Sequence, residues 1–76
     1  MIFLYSLEMT IKGEKHKINI SKNNKEYILL ITKPKKHDFK HELTVSKDDM
    51  LKISTVFNTS CILFLVKTAI EEIEKI

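Results

Sequence analysis

The sequence predicts an α+β fold in which a four-stranded antiparallel β-meander is followed by C-terminal helix. Apolar and polar residues alternate in successive segments up to residue 45, and this is the period of half-buried strands. Short polar stretches suited to hairpin turns separate those segments. After Ser46 the apolar spacing changes to the three-and-four step of a helix. We expect strands at about 2–12, 15–22, 25–33 and 39–45, and helices at about 47–58 and 62–76.

The first hairpin is predicted from its alternation and its turn. Five apolar residues of the first strand share one face: Phe3, Tyr5, Leu7, Met9 and Ile11. The dipeptide Gly13-Glu14 suits a two-residue type II′ turn, because glycine adopts positive φ without strain. That turn pairs Lys12 with Lys15 and brings the apolar faces together, whereas a one-residue slip would separate them.

The second hairpin turn is predicted at the two asparagines 23–24, whose side chains tolerate left-handed φ and suit type I′. Pairing Lys22 with Lys25 again aligns the apolar faces. The third strand is apolar on both sides, because Ile28 and Leu30 point away from the core. This pattern is typical of a central strand or of a surface that something else covers.

The polar segment 33–38, which holds the only proline, predicts a loop before the fourth strand. Ser46 is placed to cap the following helix, with acidic residues in the first turn. The C-terminal region predicts one long kinked helix or two short helices, and a fifth strand at 61–66 is the alternative. The predicted apolar stripe of the last helix is Ile62, Val66, Ala69, Ile73 and Ile76.

The bulk composition limits the class of protein. Seventy-six residues, 43% apolar and 30% charged, make one domain, 1–76, with a thin core that dimerisation would support. The single cysteine, Cys61, excludes an internal disulfide and agrees with a reducing, cytoplasmic setting. No apolar run has the length of a membrane span or fits a signal peptide, so we expect no membrane partner.

We expect no enzyme and no cofactor. The only glycine, Gly13, leaves no phosphate-cradling loop, and no strained nucleophile turn is present. Cys61 is expected to be a small buried hydrophobe and His16 a partly buried packing residue. Metal binding is not expected either, because four residues of a strand span about 13 Å. The residues considered as metal ligands are His37, Asp38, His41 and Glu42.

The distribution of charge favours an anionic partner. Residues 1–46 carry nine lysines against five acidic residues, and residues 47–76 carry four against five. No arginine is present to read guanine edges, so sequence-specific duplex reading is disfavoured. We predict single-stranded nucleic acid bound on one sheet face and rim, with phosphate contacts from lysines and apolar contacts from two aliphatic residues. The predicted set is Lys15, Lys17, Lys33, Lys35, Lys36, Lys40, Ile28 and Leu30.

Base stacking is not expected, because every aromatic side chain of the sheet is predicted on the core side: Phe3, Tyr5, Tyr27 and Phe39. The alternative function is a small protein-binding module or inhibitor, of an accessory or viral kind. Its interface would consist of Ile28, Leu30 and the apolar run 61–66.

The stretch "ELTVSKDDMLKI", in which a strand passes through Ser46 into a helix, follows three antiparallel strands and a basic loop. In this order of elements, over roughly residues 15–57, the chain resembles the positive cofactor four family of single-stranded DNA-binding homodimers. The resemblance implies dimerisation through the C-terminal helix and DNA binding by the lysine-bearing sheet surface.

Overall fold

The computed structural model describes all 76 residues and confirms the α+β architecture. The sheet has the order β1-β2-β3-β4 with every neighbour antiparallel, as expected for a meander. The elements are β1 Ile2–Ile11, β2 Glu14–Lys22, β3 Glu26–Lys33, β4 Lys36–Ser46, α1 Lys47–Leu51 and α2 Thr59–Glu74.

The core lies between one face of the sheet and α2. Ile18 and Leu29 from the central strands are fully buried, and so is Leu65 from the helix. No element covers the opposite face, which we call the open face. From the strand pairing, the open face consists of Phe3, Ser6, Glu8, Thr10, Lys15, Lys17, Asn19, Ser21, Ile28, Leu30, Thr32, Lys40, Glu42 and Thr44.

The first turn is Lys12-Gly13, with φ of 53° and 78°, and not the predicted Gly13-Glu14. Two successive positive φ values are those of a type I′ turn. Ile11 therefore pairs with Glu14, and the predicted pairing of Lys12 with Lys15 is wrong by two residues. Because side chains alternate with a period of two, a two-residue shift keeps the same residues on each face.

The second turn also differs from its prediction. Neither asparagine has positive φ, so the turn is not type I′. Instead, Asn23 Oδ1 accepts hydrogen bonds from the backbone N–H groups of Lys25 and Glu26, at 2.8 and 2.9 Å. Lys22 pairs with Tyr27 rather than with Lys25, which is again a two-residue shift that preserves the faces.

The third turn is tighter than predicted. Only Pro34 and Lys35 separate β3 from β4, so the expected loop at 33–38 is wrong. Proline presets the φ value that the first central position of a turn requires. The register shifts at the last residue of β3, and β4 accommodates the additional residues 37–39 there. Phe39 still packs against the core, as predicted.

A bulge at Leu4 changes the start of β1. Phe3 lies opposite Ser21 and Tyr5 lies opposite Ile20, so the strand gains one residue between these pairs. Leu4 packs against the core, whereas Phe3 turns to the open face and is 62% exposed. The prediction of Phe3 on the core side is therefore wrong. Tyr5 stays on the helix side but is 44% exposed.

The C-terminal region forms two short helices, one of the predicted arrangements. Ser46 caps α1 through its Oγ, which accepts from the N–H of Asp49 at 3.2 Å. That helix ends at Leu51 rather than near residue 58. Asn58 caps α2, which includes segment 61–66, so the alternative of a fifth strand is wrong.

The buried stripe of α2 is shifted from the predicted one. It consists of Cys61, Leu65, Ala69 and Ile73, a regular four-residue step. Ile62 and Val66 lie beside this stripe, and Ile76 is exposed. Ala69 and Ile73 belong to both stripes, whereas Cys61 and Leu65 are buried in place of the predicted Ile62, Val66 and Ile76. Neither helix combines the length and the apolar character needed to span a membrane.

Candidate nucleic-acid interface

The main cluster of lysines lies at the end of the sheet that carries turns 12–13 and 34–35, which we call the upper end. Alternate turns of a meander return to the same end, and this brings residues 20 positions apart into one place. A depression of about 380 Å³ opens there. It is lined by Gly13, Glu14, Lys15, Lys33, Lys35 and Lys36. We call its four lysines the basic rim; against the single carboxylate they give a net charge of +3 (four minus one).

The carboxylate of the depression is already engaged. Glu14 Oε1 lies 3.2 Å from Lys33 Nζ, and this hydrogen bond and charge hold the pKa of Glu14 below its usual value. Lys36 adds to that effect at longer range. Lys33 Nζ also lies 4.5 Å from the centre of the Phe39 ring, within cation–π distance. Lys33 is thus held in place from two sides.

The other lysines of the basic rim are free. Lys15, Lys35 and Lys36 are exposed and make no ion pair. Exposed ammonium groups without a carboxylate partner can contact phosphate oxygens without first breaking an interaction. The four rim lysines were predicted as site residues, and the structure brings all four together.

The remaining predicted lysines lie next to the rim, on the open face. Lys17 and Lys40 are both opposite Thr32, on the two neighbouring strands. Glu8 lies opposite Lys17, and Glu42 follows in the next row opposite Leu30. The open face therefore has mixed charge, and its positive potential is concentrated towards the upper end.

The two predicted aliphatic contacts lie further from the rim. Leu30 is one row beyond Lys17, and Ile28 is one row beyond Leu30. Both are half-buried. The row of Ile28 also contains Phe3, an exposed aromatic side chain that the sequence reasoning placed in the core. The only sequence signal for it was the unbroken apolar run at the N-terminus, where alternation is not visible.

Two of the histidines, His16 and His41, and the cysteine take structural positions. His41 Nε2 lies 3.4 Å from Glu72 Oε1, which connects β4 to α2. No three His, Cys, Asp or Glu side chains lie together as a set of metal ligands. Cys61 is buried, and its Sγ donates to the carbonyl of Val56 at 3.7 Å. His16 is fully buried rather than partly buried.

A second surface lies on the outward side of α2. A shallow groove there has the apolar side chains of Leu63, Val66 and Ile70. Leu63 is 64% exposed, and no other part of the chain covers it. Charged residues border the groove: Lys67, Glu71 and Glu74.

The chain matches no protein-family model, and comparisons with curated proteins and with solved structures give no match either.

Proposed function

We propose that this protein is a non-enzymatic binder of single-stranded nucleic acid. The observation that carries the proposal is the basic rim, where four lysines face one carboxylate and three of them have no ion pair. Closely spaced, unpaired ammonium groups form a favourable site for a phosphate backbone, and association there releases counterions.

The ligand follows a path from the rim onto the open face. Its phosphates contact the basic rim first and then Lys17 and Lys40 in the adjacent row. Beyond these, Leu30 and Ile28 provide apolar contact, and Phe3 provides a ring for stacking a base. An open sheet face suits a single strand, whose bases can lie on the surface, better than a duplex.

The proposal includes a homodimer through α2. The groove at Leu63, Val66 and Ile70 is the surface for that contact, because a second copy would cover it and enlarge a thin core. Lys67 and Glu71 border the groove, so two copies can pair opposite charges at its edge. The dimer places two basic rims in one particle and raises the effective concentration of sites on one strand.

A test of nucleic-acid binding is fluorescence anisotropy with a labelled single-stranded DNA, the RNA of the same sequence and the matching duplex. We expect binding to the single strands at low salt, weaker binding to the duplex, and a steep loss of affinity with added salt. Absence of binding at low salt would contradict the proposal.

The dimer is tested separately by light scattering. We expect a mass of twice 8.9 kDa, returning to the monomer mass in Leu63→Glu. A monomer in the wild-type protein at high concentration contradicts the dimer but leaves the nucleic-acid site unaffected.

A protein-binding module is the second candidate function, and the exposed apolar groove on α2 is the observation that favours it. An apolar interface responds little to salt, whereas a phosphate interface responds steeply. A partner whose affinity is unchanged between low and high salt, and is lost in Leu63→Glu, would favour this function.

A further inference from the structure

His16 has a hydrogen-bonding atom that nothing in the chain satisfies. The residue is 1% exposed, and its ring packs edge-on against Phe39 with 5.9 Å between centroids. Its Nδ1 lies 2.9 Å from the carbonyl oxygen of Glu14. A carbonyl can only accept, so Nδ1 carries the proton and Nε2 of the neutral ring is an acceptor. Nε2 is buried and has no partner, which costs free energy unless something fills the position.

His16 lines a cavity of about 190 Å³ on the helix side of the upper end. Half of the lining is apolar: Ile11, Phe39, Ile73 and Ile76. The other half is Lys12, Glu14, His16 and Lys33. Glu14 and Lys33 line both this cavity and the depression of the basic rim, so their ion pair separates the two spaces.

The lining defines the ligand that the cavity fits. The lining includes two ammonium groups: Lys33, and Lys12, whose Nζ also donates to the carbonyl oxygen of Ile76 at 3.0 Å. His16 adds one unsatisfied acceptor, Nε2, which is buried. The complementary ligand presents one N–H or O–H together with two acceptor oxygens, and it has apolar faces for the aliphatic walls. An apolar cavity of about 150 Å³ holds a benzene-sized molecule, so this cavity fits one six-membered ring.

We propose that this cavity binds a thymine or uracil base of the bound strand, an inference that rests on the proposed function. The imide edge of these bases carries an N–H between two carbonyl groups. The N–H donates to His16 Nε2, and the carbonyls accept from Lys12 and Lys33. Adenine and cytosine carry an amino group where these bases carry a carbonyl, and that donor would face an ammonium group.

Entry to the cavity is coupled to phosphate binding at the rim. Nε2 is buried, and Lys33, which lines the same cavity as His16, is held by Glu14 and lies over Phe39. The Glu14 side chain is half exposed, so its pairing with Lys33 is a weak barrier. A phosphate in the depression competes with Glu14 for Lys33 and loosens their pairing; because the ammonium group has three N–H donors, Lys33 can contact the phosphate and still donate to the base. The base next to that phosphate then reaches His16.

The experiment measures binding of labelled dT and dA oligonucleotides of equal length at one low salt concentration. We expect the wild-type protein to prefer dT by about fivefold, the effect of one additional hydrogen bond. His16→Phe, which keeps a ring and removes the acceptor, should abolish the preference. His37→Phe, the matched change at an exposed histidine of the same end, should retain it.

A nitrogen-15 NMR spectrum of the imidazole rings provides a readout that needs no variant. The Nε2 signal of His16 should shift when dT is added and stay in place with dA. Free thymidine at the same base concentration should shift it only weakly, because it brings no phosphate to the rim. A full shift with free thymidine would overturn the coupling to the rim.

The outcomes separate this inference from the proposed function. Equal affinity for dT and dA, or a dT preference that persists in His16→Phe, overturns the base site and leaves the phosphate site standing. Failure to bind either oligonucleotide overturns the proposed function, and the base site with it. His16→Leu, which also removes the acceptor, replaces His16→Phe if thermal denaturation shows that the latter is unfolded, and it should likewise abolish the dT preference.

Discussion

The two ends of the sheet contain lysines in similar numbers but differ in what surrounds them. The upper end carries Lys12, Lys15, Lys33, Lys35 and Lys36 with the acidic residues Glu14 and Asp38. The lower end carries Lys22, Lys25, Lys47 and Lys52 with Glu26, Asp48 and Asp49. The net charge is +3 at the upper end (five minus two) and +1 at the lower end (four minus three). A count of lysines therefore does not locate an anion site, whereas a local excess over acidic residues does.

The largest expected effect concerns the core that holds both ends together. Leu65→Ala removes a fully buried side chain of α2, and we expect it to lower the free energy of unfolding by about 2–5 kcal/mol. A domain of this size has little stability to lose, so both ends should lose structure in one transition. Urea denaturation followed by circular dichroism measures this. Leu51→Ala, at an exposed leucine of α1 outside the groove on α2, is the control and should leave the free energy of unfolding nearly unchanged.

The second effect tests how far the ligand extends from the upper end. Phe3→Ala removes the exposed ring of the open face, and we expect the affinity for single-stranded DNA to fall by about 1 kcal/mol. Tyr5→Ala is the matched control, because Tyr5 is also exposed but lies on the helix side. Equal losses from both changes would show that the open face is not the path.

The third effect changes the charge of the upper end by one unit. Glu14→Gln releases Lys33 and raises the net charge of the depression from +3 to +4, so single-strand affinity at low salt should rise about twofold to threefold. The pKa of Glu14 is lowered, so its carboxylate stays ionised until the pH falls through that pKa.

The wild-type protein should therefore bind more tightly as the pH falls through the pKa of Glu14, and this part of the pH dependence should be missing in Glu14→Gln. The depressed pKa gives the ion pair a stabilising effect that is present at neutral pH and lost in acid. Anisotropy titrations at several pH values measure the change. An identical pH dependence in the two proteins would contradict the assigned role of Glu14.

The smallest expected effect is on the free energy of unfolding, through substitutions in the first two hairpin turns. Lys12 has a φ of 53° in a type I′ turn, a conformation that asparagine adopts more readily than lysine. Lys12→Asn should raise the free energy of unfolding by a few tenths of a kcal/mol, about 0.5. Asn24→Gly in the lower turn, where no residue has positive φ, should give no gain. Thermal denaturation of both variants measures these two changes in stability.

The fold was predictable from the sequence because the spacing of the apolar residues shows which residues share one face of a strand or helix. The four strands, the cap at Ser46 and the change from strand to helix follow from local patterns. The pairing register did not follow, since two hairpins that differ by two residues place the same side chains on the same faces. The turn residues decided the register, and Lys12 at positive φ is not what propensity favours.

The lysines of the site were predictable, but its shape was not. The depression depends on the tight turn at Pro34, where a loop was expected. The exposed ring of Phe3 depends on the bulge at Leu4, which leaves no trace in an unbroken apolar run. The lining of the cavity beside His16 includes residues of β2, β4 and the end of α2. These elements are far apart in the sequence, so no local sequence pattern predicts that they meet.

The difference between the two ends is tested most directly by the salt dependence of single-strand affinity in two triple variants. The upper variant changes Lys33, Lys35 and Lys36 to Ala; the lower variant changes Lys22, Lys25 and Lys47 to Ala. A plot of log affinity against log salt concentration should lose a slope of about 2 in the upper variant, because each lost phosphate contact on a single strand removes about 0.7. The lower variant should keep the wild-type slope. Equal slopes in the two variants would contradict the assignment of the phosphate site to the upper end.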